Sequence, residues 1–540
     1  MTSNLNRRLF LATIGGVVST ACLRGIHAGD PAPGKGLVIG QSEGAAAGNA
    51  VLAAGGNAVD AVVTAALVAG VVAVPMTGIG GYGGHAVIGG LPGNKVAAID
   101  FNSAAPAAFK PDQFPLNDKG QVPGNINAYG WLGTGVPGVL AGLQLALDKF
   151  GTRKFPELVQ PAIKFARDGF VVRKNVAGAL AAAKSRLAAD PGSARLFFAN
   201  GQPLPEGATF QNPDLAAMLD SLAKNGTVAD FYQGKIAAKI AAAFQANGGL
   251  VTAADLAAYQ AVEVAPLTLS WNGYTLLTPP PSSGGLTVLQ TLASLKAVGW
   301  PERRDAIDQT YIECLRVAWN DRLRLLGDPK QADVPVAKLL SEEYARETAE
   351  RVRTVVRDKK PMNGEADGRP AGGTIHLNAV DASGLTVALT FTHGDSLGAQ
   401  VTVDGLGLVL GQGMSRFDPR PGRANSPGPG KRPLHNMCPT VVTKNGSPML
   451  AIGATGGRRI VSGVTSVLAR RIGEAKSLSD AVKAPRIHTE GNLALSAEEG
   501  WAAEELKAIG YAVTKGSVSS LSAIEVGHNG DMLNLSSSAR

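Results

Sequence analysis

The sequence predicts an α+β fold in which helices pack on antiparallel sheets. Three observations carry this. From about Gly36 to Glu350 the pattern is rich in helix, with Ala- and Leu-rich stretches at 143–149, 176–189, 214–224 and 235–246. A polar, breaker-rich segment follows at Arg353–Gly373, and beyond it the helical period stops and hairpins begin. Helices return at Arg459–Ile472 and Ala497–Ala508.

The elements follow in chain order. The first residues pair Arg7 with Arg8 ahead of a short apolar stretch that ends near Cys22. That is a Tat-type export signal over residues 1–28, with cleavage after Ala28 and a periplasmic destination. Ser19-Thr20-Ala21-Cys22 also resembles a weak lipobox, which leaves a lipid-anchored form open. Strands are predicted at Gly36–Ile39, Lys95–Phe101 and Tyr274–Thr278. The apolar run Ala61–Met76 contains Thr64 and Pro75 and is short for a membrane span, so it reads as a buried core helix. Thr252 followed by Asp255 marks a helix start. The Pro279–Gly285 turn leads into a helix over Leu286–Val298. Thr374–Asp381 and Leu385–Thr392 read as paired strands around the turn Ala382-Ser383-Gly384, with Val387, Leu389 and Phe391 on one face. Asn445-Gly446 turns a second hairpin. Ser415–Pro433, rich in proline and arginine, reads as a mobile loop.

Composition narrows the function. With 45% hydrophobic and 17% charged residues the chain is not an intrinsically disordered one. The net charge of +8 is modest for 540 residues, and the basic residues form no long run, which argues against nucleic-acid binding. Three cysteines (Cys22, Cys314, Cys438) form no Cys-x-x-Cys pair and the histidines are dispersed, so no metal site is predicted.

The junction at Thr374 carries the chemistry. A threonine hydroxyl needs a base, and a free α-amine on the same residue supplies one, with a pKa of about 7.7–8.0. A chain makes that amine by cutting itself before the threonine, and Gly372-Gly373 lets the scissile carbonyl come close to the hydroxyl. Taken alone, a threonine that opens a strand after two glycines also fits an ordinary strand start.

Several stretches in the same order resemble one family. They are Gly55-Gly56-Asn57-Ala58-Val59-Asp60-Ala61, the glycine-rich Gly78–Gly84, Val136-Pro137-Gly138, Leu158–Lys164, Asp255–Tyr259 and Thr278–Gly285. Thr374-x-His376 with Val380-Asp381, then Pro433-Leu434, Pro439-Thr440 and Gly453-x-x-Gly456-Gly457, continue the series. Together they resemble the γ-glutamyltranspeptidase (glutathione hydrolase) family of N-terminal-nucleophile hydrolases, with this chain a divergent member. The resemblance implies a four-layer αββα sandwich and a zymogen. A large subunit, residues 29–373, and a small one, residues 374–540, would form by autocleavage between Gly373 and Thr374 and stay together. It implies Thr374 as nucleophile, Thr392 as its hydrogen-bond partner, and the backbone of Gly456 and Gly457 as oxyanion donors. No cofactor is implied. The spacing within Gly78–Gly84 is not that of a phosphate loop, and packing is the better reading.

The departures lie in substrate recognition. Asn102 stands where the family has an arginine for the glutamyl carboxylate. Gly394 replaces an Asn, Gly413 a Glu or Gln, and Arg416 an Asp that takes the amino group. His435 and Asn436 replace paired serines. An ammonium needs carboxylate or carbonyl partners, and Arg416 inverts that charge. Arg416, Arg420, Arg423 and His435 therefore favour an acyl group with a carboxylate and no ammonium, unless they are solvated loop charges. His376 and His393, which flank the nucleophile strand, either tune it or are ordinary hydrogen-bonded histidines.

Three readings result. The first is a γ-glutamyl amide hydrolase or acyltransferase acting on glutathione and related small-molecule amides. The second keeps the mechanism and takes a small acidic amide or N-acyl compound, as in the oxamate amidohydrolase and acylase branches. The third is a periplasmic binding protein without catalysis.

Overall fold

The apolar run becomes the helix Ala58–Val72, and all of its residues are buried. Its start is fixed locally. The Asn57 side chain accepts from the amides of Val59 and Asp60, while Asp60 accepts from the Asn57 amide. The neighbouring helix Ser42–Ala53 approaches closely because Gly44 and Gly48 have no side chain; a Cβ there would meet the carbonyl oxygens of Ala65 and Ala61 at 2.5 and 2.8 Å. The computed structural model describes residues 36–305, 307–364, 373–527 and 530–537. The expected export signal over residues 1–28, Cys22 within it, and residues 365–372 of the expected linker lie outside the described residues.

This helix covers an antiparallel six-stranded sheet ordered Gly36–Ile39, Ile375–Asp381, Thr386–Thr392, Gly83–Leu91, Lys95–Asp100, Val262–Val264. A second six-stranded sheet runs Met532–Ser537, Ser520–Val526, Ser447–Thr455, Thr440–Lys444, Tyr274–Thr278, Leu267–Trp271. The two sheets face each other through small side chains, Val87, Ala98, Ala388, Val441 and Ala451. Helices Gly285–Val298, Gln309–Leu325, Glu342–Arg357 and Arg459–Leu468 cover the outer face of the second sheet and share its core. The result is the α+β, four-layer αββα sandwich. Strands in its two inner layers are covered on both faces, which is why Ile375–Asp381 and Thr386–Thr392 are buried throughout.

Three expectations change. Ala497 ends a strand, Ala494–Ala497, and the helix starts only at Ala503, because Gly500 turns with φ +108°. Arg353–Arg357 belongs to the helix Glu342–Arg357, whose buried stripe Ala345, Thr348, Ala349 and Val352 carries the helical period on; the chain breaks at Lys359, with φ +48°. Part of the expected linker is anchored as well: Gln309 donates to the Lys360 carbonyl at 3.0 Å and Arg316 to that of Met362 at 2.8 Å. The 415–433 segment is irregular as expected, but pinned rather than loose. Asp418 pairs with Arg420, Asn425 donates to the Arg416 carbonyl, and Arg432 lies 2.7 Å from Asp100. Cys314 and Cys438 are buried free thiols, and burial pushes the Cys438 thiol up to about 12.

Candidate active site

The pairing register of the central hairpin sets the site. Ile375 pairs with Phe391 and Val380 with Thr386, so the same register places Thr374 opposite Thr392. The eighteen-residue separation of the two threonines follows from the turn at Ala382–Gly384. Thr374 Oγ1 donates to the Gly373 carbonyl oxygen at 2.6 Å and lies 3.4 Å from Thr392 Oγ1. The Thr392 hydroxyl donates to the same Gly373 carbonyl and accepts the Gly394 amide at 2.8 Å. Two hydroxyls therefore converge on the bond that joins residues 373 and 374.

The flanking histidines are buried and neutral. His376 has Thr390 Oγ1 at 2.7 Å on one ring nitrogen and Asn378 Oδ1 at 3.0 Å on the other. Burial pushes its pKa down to about 4. His393 finds no partner for either ring nitrogen among the described residues, and burial takes it to about 3. Neither is poised to move a proton near neutral pH. The His393 ring fits because Gly78 has no side chain; a Cβ there would lie 2.3 Å from Nε2. Gly84 likewise backs onto the Thr390 carbonyl, so the glycine-rich segment packs against the hairpin that carries Thr374 and Thr392.

Gly456 and Gly457 form the turn between the strand Ser447–Thr455 and the helix Arg459–Leu468. The His376 ring lies against Gly453, where a Cβ would meet it at 2.2 Å. Thr374 and Gly456 are thus two and three residues from one contact between the sheets.

A cleft of about 680 Å³ opens beside this centre, and Arg416 and Asn436 lie on its wall. Thr374 is not among its lining residues. Of the other residues singled out from the sequence, Arg420 also lines the cleft, and Asn102, Gly394, Gly413 and His435 stand behind the wall. Asn102 is fully buried and donates to Ser282 Oγ at 2.8 Å and to the Pro433 carbonyl at 2.6 Å. Gly413 packs on Ser103 and Gly135 with no room for a Cβ, and the Gly394 amide serves Thr392. The His435 ring stacks at a tilt on His85, centroids 4.5 Å apart, and burial with the nearby His85 holds it well below the usual histidine range. Asp100, paired with Arg432, lies 3.5 Å from His85.

The cleft also has residues that the sequence did not single out. Asp395 accepts from the Tyr129 hydroxyl at 3.2 Å. Arg322 donates to the carbonyls of Ser283 and His435 and to Asn436 Oδ1. Trp319 lies under both Arg322 and Arg458. Asp395 is one residue past Gly394, and no spacing rule distinguishes it from a loop aspartate.

A model of the gamma-glutamyltranspeptidase family matches residues 44–539. The chain belongs to the γ-glutamyltranspeptidase family. It is therefore an enzyme of that family and an N-terminal-nucleophile hydrolase. It is similar to the glutathione hydrolase proenzyme of Escherichia coli (strain K12), 36% identical over 499 residues that cover 87% of this chain and 85% of that protein. It is also similar to the acylase ACY 1 proenzyme of Pseudomonas sp. (strain V22), 34% identical over 86% of this chain and 84% of that one. Among solved structures, cephalosporin acylase from Bacillus halodurans shares the fold with a TM-score of 0.83 at 24% identity, covering 93% of this chain and 94% of that chain. Helicobacter pylori γ-glutamyltranspeptidase matches 59% of this chain and 92% of that chain, at 33% identity and a TM-score of 0.55.

Proposed function

We propose that the chain is a self-processing N-terminal threonine amidohydrolase that works through an acyl-enzyme on Thr374. The observation that carries this reading is the convergence of the Thr374 and Thr392 hydroxyls on the Gly373 carbonyl. In the precursor the Thr374 hydroxyl oxygen attacks the Gly373 carbonyl carbon. The C–N bond breaks, the hydroxyl proton ends on the Thr374 nitrogen, and an ester remains. Water opens the ester to a Gly373 carboxylate and restores the Thr374 hydroxyl, beside the α-amine that the first step released. That amine is then the base for turnover, since the nearby histidines are held neutral at 3 to 4. The Gly456 and Gly457 amides hold the oxyanion, a role often worth about 3 kcal/mol per donor.

For the acyl group, the likeness to glutathione hydrolases supports γ-glutamyl amides such as glutathione. The likeness to acylase ACY 1, with Arg416 on the cleft wall, supports the second reading, an acidic amide or N-acyl donor without the amino group. A binding protein without catalysis has no use for the Thr374–Thr392 arrangement. The pair Arg7-Arg8 before an apolar stretch supports export by the Tat route.

Intact mass of the wild type and of Thr374→Ala tests the proposal. The wild type should yield two chains, the smaller spanning residues 374–540, and the variant one. A wild type that stays whole on long incubation would overturn it.

A further inference from the structure

Gly456 and Gly457 carry positive φ angles of +127° and +62°, and neither has a side chain to fix the turn they form. Their aim depends on what holds the chain on either side. On the strand side the ladder does so, with Gly453, Ala454 and Thr455 paired to Ser522, Leu521 and Ser520. On the helix side two side chains do: Arg458, next to the turn, and Ser462, one helical turn further on.

Both reach the same carboxylate. Arg458 donates through Nη1 to one Glu490 oxygen, and its guanidinium lies 5.9 Å from the centre of the Trp319 ring. The other Glu490 oxygen lies 3.4 Å from His488 Nε2, and His488 Nδ1 lies 2.8 Å from Ser462 Oγ. A carboxylate only accepts, so Nε2 carries the proton and Ser462 donates to Nδ1. Burial alone would raise the Glu490 pKa; His488 and Arg458 more than offset it, so the group stays ionised. Hydroxyl, imidazole and carboxylate stand in the order of a nucleophilic triad, but Ser462 is fully buried, so this one holds rather than reacts.

We propose that Glu490 is a positioning residue for the Gly456–Gly457 turn. Through Arg458, and through His488 and Ser462, it clamps the first turn of the helix Arg459–Leu468 and so holds the two oxyanion amides in place during turnover. This rests on the amidohydrolase reading. The clamp serves turnover rather than maturation, because in the precursor the Gly373 carbonyl takes hydrogen bonds from Thr374 and Thr392. A displacement of about 1 Å at a reacting centre costs roughly 100-fold in rate.

Two variants test the clamp. Glu490→Gln keeps the size and removes the charge, and Ser462→Ala cuts one arm while leaving the Arg458 pair. Hydrogen exchange on the purified protein, read by mass spectrometry, should quicken about ten-fold over residues 459–464 in Glu490→Gln, less in Ser462→Ala, and not over residues 375–392. Turnover is followed with γ-glutamyl and glutaryl 4-nitroanilide, one for each acyl class. On whichever the wild type cleaves, Glu490→Gln should lower kcat about ten-fold or more with KM within about two-fold, while self-cleavage stays within about three-fold of wild type. Unchanged exchange over residues 459–464 would overturn the proposal, as would a loss in self-cleavage that matches the loss in kcat, or a raised KM with kcat unchanged. Exchange needs no substrate, so it judges the clamp even in a wild type that fails to self-cleave, an outcome that would defeat the amidohydrolase reading separately.

Discussion

At the scale of single residues, Thr392 has two tasks, and they predict its mutants. Its hydroxyl donates to the Gly373 carbonyl and accepts the Gly394 amide. Thr392→Val keeps the volume and removes both interactions. Loss of one donor to a developing oxyanion typically costs about 100-fold or more. Self-cleavage of Thr392→Val should slow by about that factor in a time course on gels, while Thr392→Ser stays within several-fold of wild type. A Val variant that matures at the wild-type rate would remove Thr392 from the chemistry. The neutral histidines predict the pH profile of the mature enzyme in the same way. With His376 near 4 and His393 near 3, the group left to titrate is the Thr374 amine at about 7.7–8.0. Plotted against pH, kcat/KM should rise through one ionisation in that range. An inflection near 6.5 would point to a histidine base instead.

At the scale of elements, the strand that follows Thr374 is held at its far end by Asp381. One carboxylate oxygen accepts from the Ala58 amide at the start of the central helix. The other accepts from the amides of Ser383 and Leu385 and from the Ser383 hydroxyl. Asp381→Ala leaves three amides without that acceptor and should cost roughly 2–4 kcal/mol, at about 1 kcal/mol or more per group. Urea unfolding of this variant checks the figure, and a loss below about 1 kcal/mol would mean that water or a shifted turn replaces the carboxylate. Much of this hairpin was legible in the sequence because local rules set it: β-branched strands, a Ser-Gly turn, and Asn445-Gly446 with positive φ at both residues. The candidate Thr374 was legible for the same reason, since it and the proposed cleavage bond are adjacent in the chain. The cleft was not. Asp395 meets Tyr129, and His435 meets His85, only after the sheets have stacked, and those pairs lie hundreds of residues apart. Asn102 shows the converse. It stands at a position where the family carries an arginine, yet it is buried as a bolt between Ser282 and Pro433, a role that no sequence position announces.

At the scale of the whole molecule, the buried histidines make stability depend on pH. His85 and His376 are pushed down to about 4 and His393 to about 3, in each case by burial first; for His85, Asp100 pulls the other way and Arg432 adds to the depression. The unfolded chain takes up these protons near pH 6.5 and the folded one does not, so stability is complete above about 6.5 and falls as pH drops toward 4 and 3. At pH 5 each such histidine costs roughly 2 kcal/mol. Three of them remove roughly 6 kcal/mol, against a total of 5–15 kcal/mol for a typical domain. His435, 4.5 Å from His85, adds to the effect, held well below the usual histidine range by burial first and then by the neighbouring His85 and arginines. Carboxylates released from salt bridges would produce a loss only at lower pH, so the two causes separate by window. We expect the urea midpoint of the uncut Thr374→Ala chain to drop steadily between pH 6.5 and 5; the single chain keeps subunit dissociation out of the measurement. A midpoint that stays level down to pH 4.5 would mean that these histidines are hydrated or partnered in solution, and their neutrality would then no longer single out the Thr374 amine as the base.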